Sequence, residues 1–155
     1  MKLHKSYIIL GLLIAFGLFF ELAAHASESN ELTTLTFSAP VQIPGRVLPA
    51  GTYTFEQLEP DIAPDVVQVF GADGSLIATL NTVSADRMDP TGDTTITLAD
   101  GGNGTPPALL TWFYPGRIIG HEFVYGKDDR KAIAQSKQTT FEGDRVVSGA
   151  DSAGD

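Results

Sequence analysis

Residues 112 to 126, WFYPGRIIGHEFVYG, concentrate the side chains of this chain that could do chemistry. The stretch holds five aromatic residues, Arg117 and the neighbouring pair His121 and Glu122. Imidazole and carboxylate groups transfer protons and bind metals, whereas large aromatic side chains form cores and binding surfaces. The stretch is therefore either an active site or the aromatic hairpin of a β-domain.

A catalytic role for His121 has little support in the rest of the sequence. It is the only histidine after residue 26, whereas zinc sites of imidazole and carboxylate ligands usually need about two or three histidines. On a strand, His121 and Glu122 point to opposite faces and cannot act as an adjacent pair. No G-x-S-x-G nucleophile motif occurs. We therefore predict no catalytic residue, and a hydrolase or isomerase using His121 with Glu122 or a loop aspartate is the least favoured hypothesis.

The aromatic residues favour either a packed core or a binding surface. Leu110, Trp112 and Tyr114 alternate onto one face of a predicted strand, and large aromatic side chains are more often buried against a facing sheet. If one face is exposed instead, it could contact a cell-envelope glycan or a protein. The candidate binding residues are then Trp112, Tyr114, Arg117, His121 and Tyr125.

Several loops are rich in aspartate, which raises the question of a metal site. Calcium binds about six to eight oxygen ligands, and the loop DRMDPTGD offers Asp86, Asp89 and Asp93. The loop does not match the D-x-[DN]-x-[DN]-G calcium template, and aspartate also favours turns by itself. We predict no metal and no cofactor, with calcium at these three aspartates as the alternative.

The composition of the chain excludes several classes of chemistry. None of its 155 residues is a cysteine, which removes thiol catalysis, cysteine-based zinc sites, iron–sulfur clusters and disulfide bonds. The net charge of −9 disfavours binding to nucleic acids and to anionic membrane surfaces, because like charges repel.

The first 26 residues have the three parts of a secretory signal peptide. Lys2 and Lys5 form a basic start, residues 7–20 are mostly apolar, and residues 24–26 supply the small side chains of a cleavage site before Ser27. The apolar run is shorter than the roughly 18 residues of a usual membrane span. We therefore predict export to the periplasm or the extracellular space, with no membrane span after cleavage; an uncleaved N-terminal anchor is the alternative.

The pattern after the signal peptide predicts an all-β domain. Short runs of alternating apolar and polar residues are separated by turns rich in glycine, proline and aspartate. About seven or eight short strands, with one short helix over residues 128–137, favour an antiparallel β-sandwich, and a closed β-barrel is the alternative. Pro115 and Gly116 are predicted to form the turn between two aromatic strands, with Gly120 as a bulge or a point of close packing.

The same pattern sets the domain boundaries. Residues 27–31 are predicted to be a short linker and residues 32–136 the β-domain, while residues 137–155, rich in Gly, Ser and Asp, are predicted to be a disordered acidic tail. The three prolines between residues 40 and 49 predict an edge or a connection there, because proline lacks the donor that a central strand needs.

Four blocks of the sequence form an ordered pattern: FSAPVQIPGRVLPAGTYTF (37–55), VVQVFGADGSLIATL (66–80), ITLAD (96–100) and ALLTWFYPGRIIGHEFVYGKDDRKAIA (108–134). In this order they resemble a family of small exported bacterial proteins seen in acidobacteria and similar soil bacteria. Gly126 departs from the family pattern, which has proline after the last tyrosine. The resemblance implies export and a β-rich fold, and it transfers no activity, cofactor or catalytic residue.

Together these features favour a non-enzymatic exported β-domain that acts as an interaction or structural module of the envelope or the extracellular space. A carrier of small apolar ligands, in which the sheets enclose a cavity, is the alternative.

Overall fold

The computed structural model describes residues 31 to 146; the predicted signal peptide, residues 27–30 of the linker and residues 147–155 of the tail lie outside the described residues. The described chain forms eleven strands and one short helix, which confirms the prediction of an all-β domain. No helix in this part of the chain is long and apolar enough to cross a membrane. The strands and the helix are β1 (Leu32–Phe37), β2 (Val41–Ile43), β3 (Arg46–Leu48), β4 (Gly51–Gln57), β5 (Val66–Gly71), β6 (Leu76–Asp86), β7 (Thr95–Ala99), β8 (Ala108–Phe113), β9 (Ile119–Phe123), α1 (Lys127–Ala134), β10 (Gln138–Glu142) and β11 (Arg145–Val146).

All eleven strands belong to one folded sheet. Its strand order is β10-β7-β8-β9-β6-β5-β4-β1-β11, and the β2–β3 hairpin branches from it beside β8. Most neighbouring strands are antiparallel, but β1 pairs with β11 and β2 pairs with β8 in parallel, so the sheet is mixed. Because β10 and β11 are the two ends of this order, the sheet is open rather than a closed barrel.

The long strand β6 connects two halves of the sheet. Its residues up to Asn81 pair with β5, and those from Thr82 onward pair with β9. We call β1, β4, β5 and β11 the N-terminal half-sheet, and β7, β8, β9 and β10 the C-terminal half-sheet. Phe55 on β4 lies with its ring centroid 6.2 Å from that of Trp112 on β8 and 6.3 Å from that of Phe123 on β9. The two halves therefore face each other across a shared core, as the sheets of a sandwich do.

Alternation along the strands determines which side chains fill this core. On β1, Thr33, Leu35 and Phe37 are buried while the residues between them are exposed, as expected for a strand with one face on the core. Burying large apolar side chains supplies most of the stability of a domain without disulfides. The fully buried side chains include Trp112, Phe37, Phe55, Leu35, Ile43, Leu48, Ile96 and Leu109.

The proline-rich segment contains more regular structure than the sequence predicts. We expected an edge or a connection, and the structure has the short hairpin β2–β3. The prolines at 40, 44 and 49 all lie just outside the two strands, so none removes a ladder hydrogen bond. The turn between the strands is Pro44-Gly45, where Gly45 has φ +82°, a value that glycine adopts readily.

The predicted boundary at residue 136 is wrong, because the fold continues through residues that the sequence assigns to a disordered tail. β10 pairs with β7, so that Phe141 lies opposite Ile96, and β11 pairs with β1. Phe141 is partly buried and packs against the core. One aromatic anchor and two ladders of hydrogen bonds thus outweigh the Gly, Ser and Asp composition of this segment.

The turn between β8 and β9 confirms the prediction for Pro115 and Gly116. Gly116 has φ +76° and the amide of Arg117 donates to the carbonyl of Tyr114 at 3.2 Å, the features of a tight turn with proline at its second position. Gly120 is a point of close packing, because a Cβ atom there would lie 2.5 Å from Cδ1 of Phe113.

Candidate functional site

His121 lies at the centre of a chain of polar contacts that we call the His121 network. Its Nδ1 lies 3.1 Å from the hydroxyl of Thr82, and its Nε2 lies 3.2 Å from Oε2 of Glu31. The other oxygen of Glu31 lies 3.2 Å from Nε of Arg117. With a neutral imidazole protonated on Nε2, Nε2 donates to Glu31 and Nδ1 accepts from Thr82, so that both ring nitrogens have partners.

The pairing of β9 with β8 and β6 places the imidazole of His121 beside its partners. His121 on β9 pairs with Trp112 on β8 and with Ser84 on β6, and its side chain points into the core, while that of Glu122 points outward. The imidazole stacks on the indole of Trp112 with a centroid distance of 5.2 Å and an angle of 22°. The sequence prediction that His121 and Glu122 point to opposite faces is therefore confirmed.

The His121 network has the hydroxyl–imidazole–carboxylate order of a nucleophilic triad, but its geometry does not favour catalysis. The hydroxyl of Thr82 belongs to a residue that is 5% exposed, and the imidazole belongs to one that is 6% exposed, so a substrate has no access to either group in this conformation. A catalytic base must lie within reach of the proton that it abstracts. The network instead fixes Glu31 and the turn containing Arg117 to β9.

The five candidate binding residues separate into three buried and two accessible ones. Trp112 is fully buried and both His121 and Tyr125 are nearly so, while Tyr114 is partly buried against the core and Arg117 is exposed. Buried side chains cannot contact a partner at the surface. The aromatic hairpin is therefore part of the core, and the alternation of Trp112 and Tyr114 on one strand face reflects packing.

Tyr125 connects separate strands through its hydroxyl group. The hydroxyl lies 2.7 Å from the carbonyl oxygen of Leu109 and 3.0 Å from that of Gln42, so it links β2 to β8. Burial raises the pKa of Tyr125 well above that of an ordinary phenol, and the carboxylate of Asp129 raises it further. The residue therefore stays protonated and serves as a structural donor.

The accessible feature with the most polar chemistry is the outer face of the C-terminal half-sheet. Cross-strand pairing aligns one residue from each of five neighbouring strands, a set that we call the outer row: Thr140, Thr97, Thr111, Glu122 and Val83. The row crosses a shallow groove of about 700 Å³ that we call the outer groove. Asp86, Arg87, Thr95 and Glu142 also line it. A second groove, lined by Thr34, Thr52, Thr54 and Glu56, lies on the outer face of the N-terminal half-sheet.

Arg87 organises one end of the outer groove, and sequence reasoning missed it. Its Nη1 donates to the hydroxyls of Thr91 and Thr95 at 3.0 and 2.9 Å, and its Nε donates to the carbonyl of Arg117 at 2.7 Å. The guanidinium lies 4.7 Å above the ring of Phe113. Arg87 thus holds the β6–β7 loop against the β8–β9 turn through neutral acceptors.

The aspartates of that same loop do not form the calcium site that the sequence offered as an alternative. Asp86 lines the groove, whereas Asp89 and Asp93 are exposed in the loop. No three acidic or histidine side chains among residues 31–146 lie close enough together to hold a metal ion.

Comparisons with protein-family models, with curated proteins and with solved structures found no match to this chain. The resemblance to small exported bacterial proteins therefore stays an expectation from the sequence, and the function has to be argued from the geometry.

Proposed function

We propose that this protein is an exported, non-enzymatic β-domain that binds a glycan of the cell envelope or the extracellular space. The observation that carries the proposal is the division between the two faces of the C-terminal half-sheet. The inner face encloses the imidazole and its partners in the core, whereas the outer face presents Thr140, Glu122 and Glu142 to solvent.

The outer row supports glycan binding because of its chemistry. Threonine hydroxyls and carboxylates exchange hydrogen bonds with sugar hydroxyls. In the outer row these groups are the hydroxyls of Thr97 and Thr140, on adjacent strands about 4.7–4.9 Å apart, and the carboxylate of Glu122 two strands further on. Phe113, the one aromatic residue lining this groove, has its ring covered by Arg87. Without an open stacking platform, binding depends on hydrogen bonds and should be weak for one site and stronger for a polymer that engages many copies.

The apolar-ligand carrier is less well supported by the same geometry. The space between the half-sheets holds aromatic rings in contact with one another, including Phe37, Phe55 and Trp112. Both of the grooves described above lie on outer faces.

Export and glycan binding are tested together on the secreted chain. We expect N-terminal sequencing of the protein recovered from the periplasm or the medium to begin at Ser27. The recovered chain should then sediment with insoluble envelope glycan, and Glu122→Gln should reduce the bound fraction. The matched control is Thr52→Val, on the outer face of the N-terminal half-sheet, which should bind like the parent. Sedimentation that is absent, or that is equal for the parent and Glu122→Gln, contradicts the proposed site.

A further inference from the structure

The outer groove has an excess of negative charge that no other described group neutralises. Glu122, Glu142 and Asp86 line it, are exposed, and have no ion-pair or hydrogen-bond partner for their carboxylates among residues 31–146. The one basic residue lining the groove is Arg87, whose guanidinium is engaged by hydroxyls, carbonyls and the ring of Phe113. The groove therefore complements a cationic ligand and repels phosphates and uronic acids.

The hydroxyls of the outer row favour a carbohydrate over a peptide. The hydroxyls of Thr97 and Thr140 lie 3.1 Å apart and form a short polar ladder across β7 and β10. Peptide recognition on a sheet relies on pockets for alternate side chains or on a free strand edge. Here the row lies on the face of the sheet and only Thr140 is on the end strand β10; most of the residues that line the groove are small, hydroxylated or acidic.

The positions of the two glutamates on separate strands favour a polymer over a single sugar. From Thr140 on β10 to Glu122 on β9 the row makes three steps between strands, which is about 14 Å at the usual strand separation. Glu142 lies two residues further along β10, so the two glutamates are at opposite ends of the groove. A ligand that meets both must extend across the whole row, and positive charge at more than one of its positions would be complementary to both carboxylates.

From these observations we infer that the outer groove binds a glycan with free ammonium groups, that is, an amino-sugar polymer whose amines are not acylated. The inference rests on the proposed function and adds the chemical class of the ligand. Glu122 and Glu142 pair with the ammonium groups, and the hydroxyls of Thr97 and Thr140 bond to the sugar hydroxyls between them.

The experiment compares two glucosamine oligomers of equal length, one with free amines and one fully N-acetylated, by calorimetric titration of the secreted chain. We expect the free-amine oligomer to bind about tenfold more tightly or better, and the double variant E122Q/E142Q to lose about tenfold of that affinity, or about 1.4 kcal/mol. The control variant E59Q/D61N makes the same change in net charge in the exposed loop between β4 and β5, outside the groove, and should bind like the parent.

Any other result of the titrations overturns the inference about the ligand. The sedimentation experiment then shows whether the proposed function fails as well. Equal binding of both oligomers, or an equal loss of both in E122Q/E142Q, removes the ammonium pairing while glycan binding at this site stands. No effect of E122Q/E142Q on either oligomer contradicts both the ammonium pairing and the proposed site. Equal losses in E122Q/E142Q and E59Q/D61N assign the binding to overall charge. Polylysine that binds as tightly as the amine oligomer, with the same dependence on E122Q/E142Q, shows recognition of positive charge alone. If the chain also fails to sediment with envelope glycan, the proposed function fails as well.

Discussion

Thr111 and Trp112 are neighbours on β8 that point to opposite faces of the sheet, and each buries a polar atom without a partner among the described residues. These atoms are Oγ1 of Thr111 and Nε1 of Trp112. An unpaired buried polar group costs free energy, because it has lost its hydrogen bonds to water and gained none in the protein. Removing either unpaired polar atom could therefore raise the free energy of unfolding of the domain.

Replacing Thr111 by valine should stabilise the domain. Valine has nearly the shape of threonine and removes the unpaired hydroxyl, so we expect the free energy of unfolding to rise by about 0.5–1 kcal/mol. Urea denaturation measures the change. The matched control is Thr97→Val on the paired strand, where the hydroxyl does have a partner in Thr140 at 3.1 Å; there the stability should stay equal or fall. A loss of stability in Thr111→Val would show that its hydroxyl has a partner in solution.

Tyr125 should make the domain sensitive to alkali. Its pKa is raised in the folded state by burial and by Asp129, so the folded protein holds the phenolic proton at a pH where the unfolded chain, with a pKa of about 10, releases it. The stabilisation is fully present below about pH 10 and declines as the pH rises above that value. We expect the free energy of unfolding to fall more between about pH 8 and about pH 11 for the parent than for Tyr125→Phe, which has no phenol to ionise. Equal slopes for the two proteins would contradict a raised pKa.

The His121 network shows which side-chain contacts can be predicted from the sequence. The opposite orientations of His121 and Glu122 follow from the two-residue period of a strand and need no knowledge of the fold. The contact with Glu31 spans 90 positions in the sequence. This contact depends on the order of the strands in the sheet, which the sequence does not reveal. Glu31 was therefore predicted to lie in a linker. Arg87 was missed for the same reason, because its acceptors come from the β6–β7 loop, from the start of β7 and from the β8–β9 turn.

The β8–β9 hairpin owes its shape to glycine at two positions with different requirements. Gly116 supplies a left-handed backbone conformation in the turn, whereas Gly120 supplies space beside Phe113 and the carbonyl of Trp112. The first requirement was predictable from the Pro-Gly pair. The second could be expected only as a choice between a bulge and close packing, since the neighbour that fills the space comes from the adjacent strand.

Gly120→Ala should destabilise the domain through crowding. The added methyl group would lie 2.5 Å from Cδ1 of Phe113 and 2.6 Å from the carbonyl oxygen of Trp112, so the strands have to move apart or Phe113 has to leave its position under Arg87. Overpacking of this kind costs about 1–3 kcal/mol. The matched control is Gly92→Ala in the β6–β7 loop, where a Cβ atom meets nothing within 4 Å. Thermal unfolding should show a lower midpoint for Gly120→Ala alone; equal midpoints would show that the hairpin relaxes freely.

A strand could be predicted from the sequence when its pairing partner and the turn that connects them lie close by in the chain. The β5–β6 hairpin was predictable because its strands flank the turn GADG, where the amide and hydroxyl of Ser75 donate to Asp73 and lower the pKa of that carboxyl group. Strands β10 and β11 have a weaker local signal, since their partners β7 and β1 lie far away in the sequence. Composition alone therefore made them look like a tail.

The domain as a whole depends on its last two strands. A chain that ends at residue 136 loses β10 and β11, so that β7 keeps only β8 and β1 keeps only β4 as a neighbour, and one edge of each strand is freed. We expect this chain to be much less stable than the full chain and to self-associate through the freed edges. A chain that ends at residue 146 keeps both strands and should unfold at the same urea concentration as the full chain. If both truncated chains unfold like the full chain, the two strands contribute nothing to stability.

The pairing of β1 with β11 also affects when folding can be completed if the chain is exported as we propose. The amide of Thr36, near the start of the domain, donates to the carbonyl of Asp144, near its end. A chain that crosses a membrane with its N-terminus leading delivers β1 first and has to wait for residue 144 before that bond can form. The outer edge of β1 is then completed only after nearly the whole domain has been translocated. For a chain exported as we propose, the final closing step of folding would follow translocation, and we expect this step to be slow because pairing of segments so distant in sequence is entropically costly.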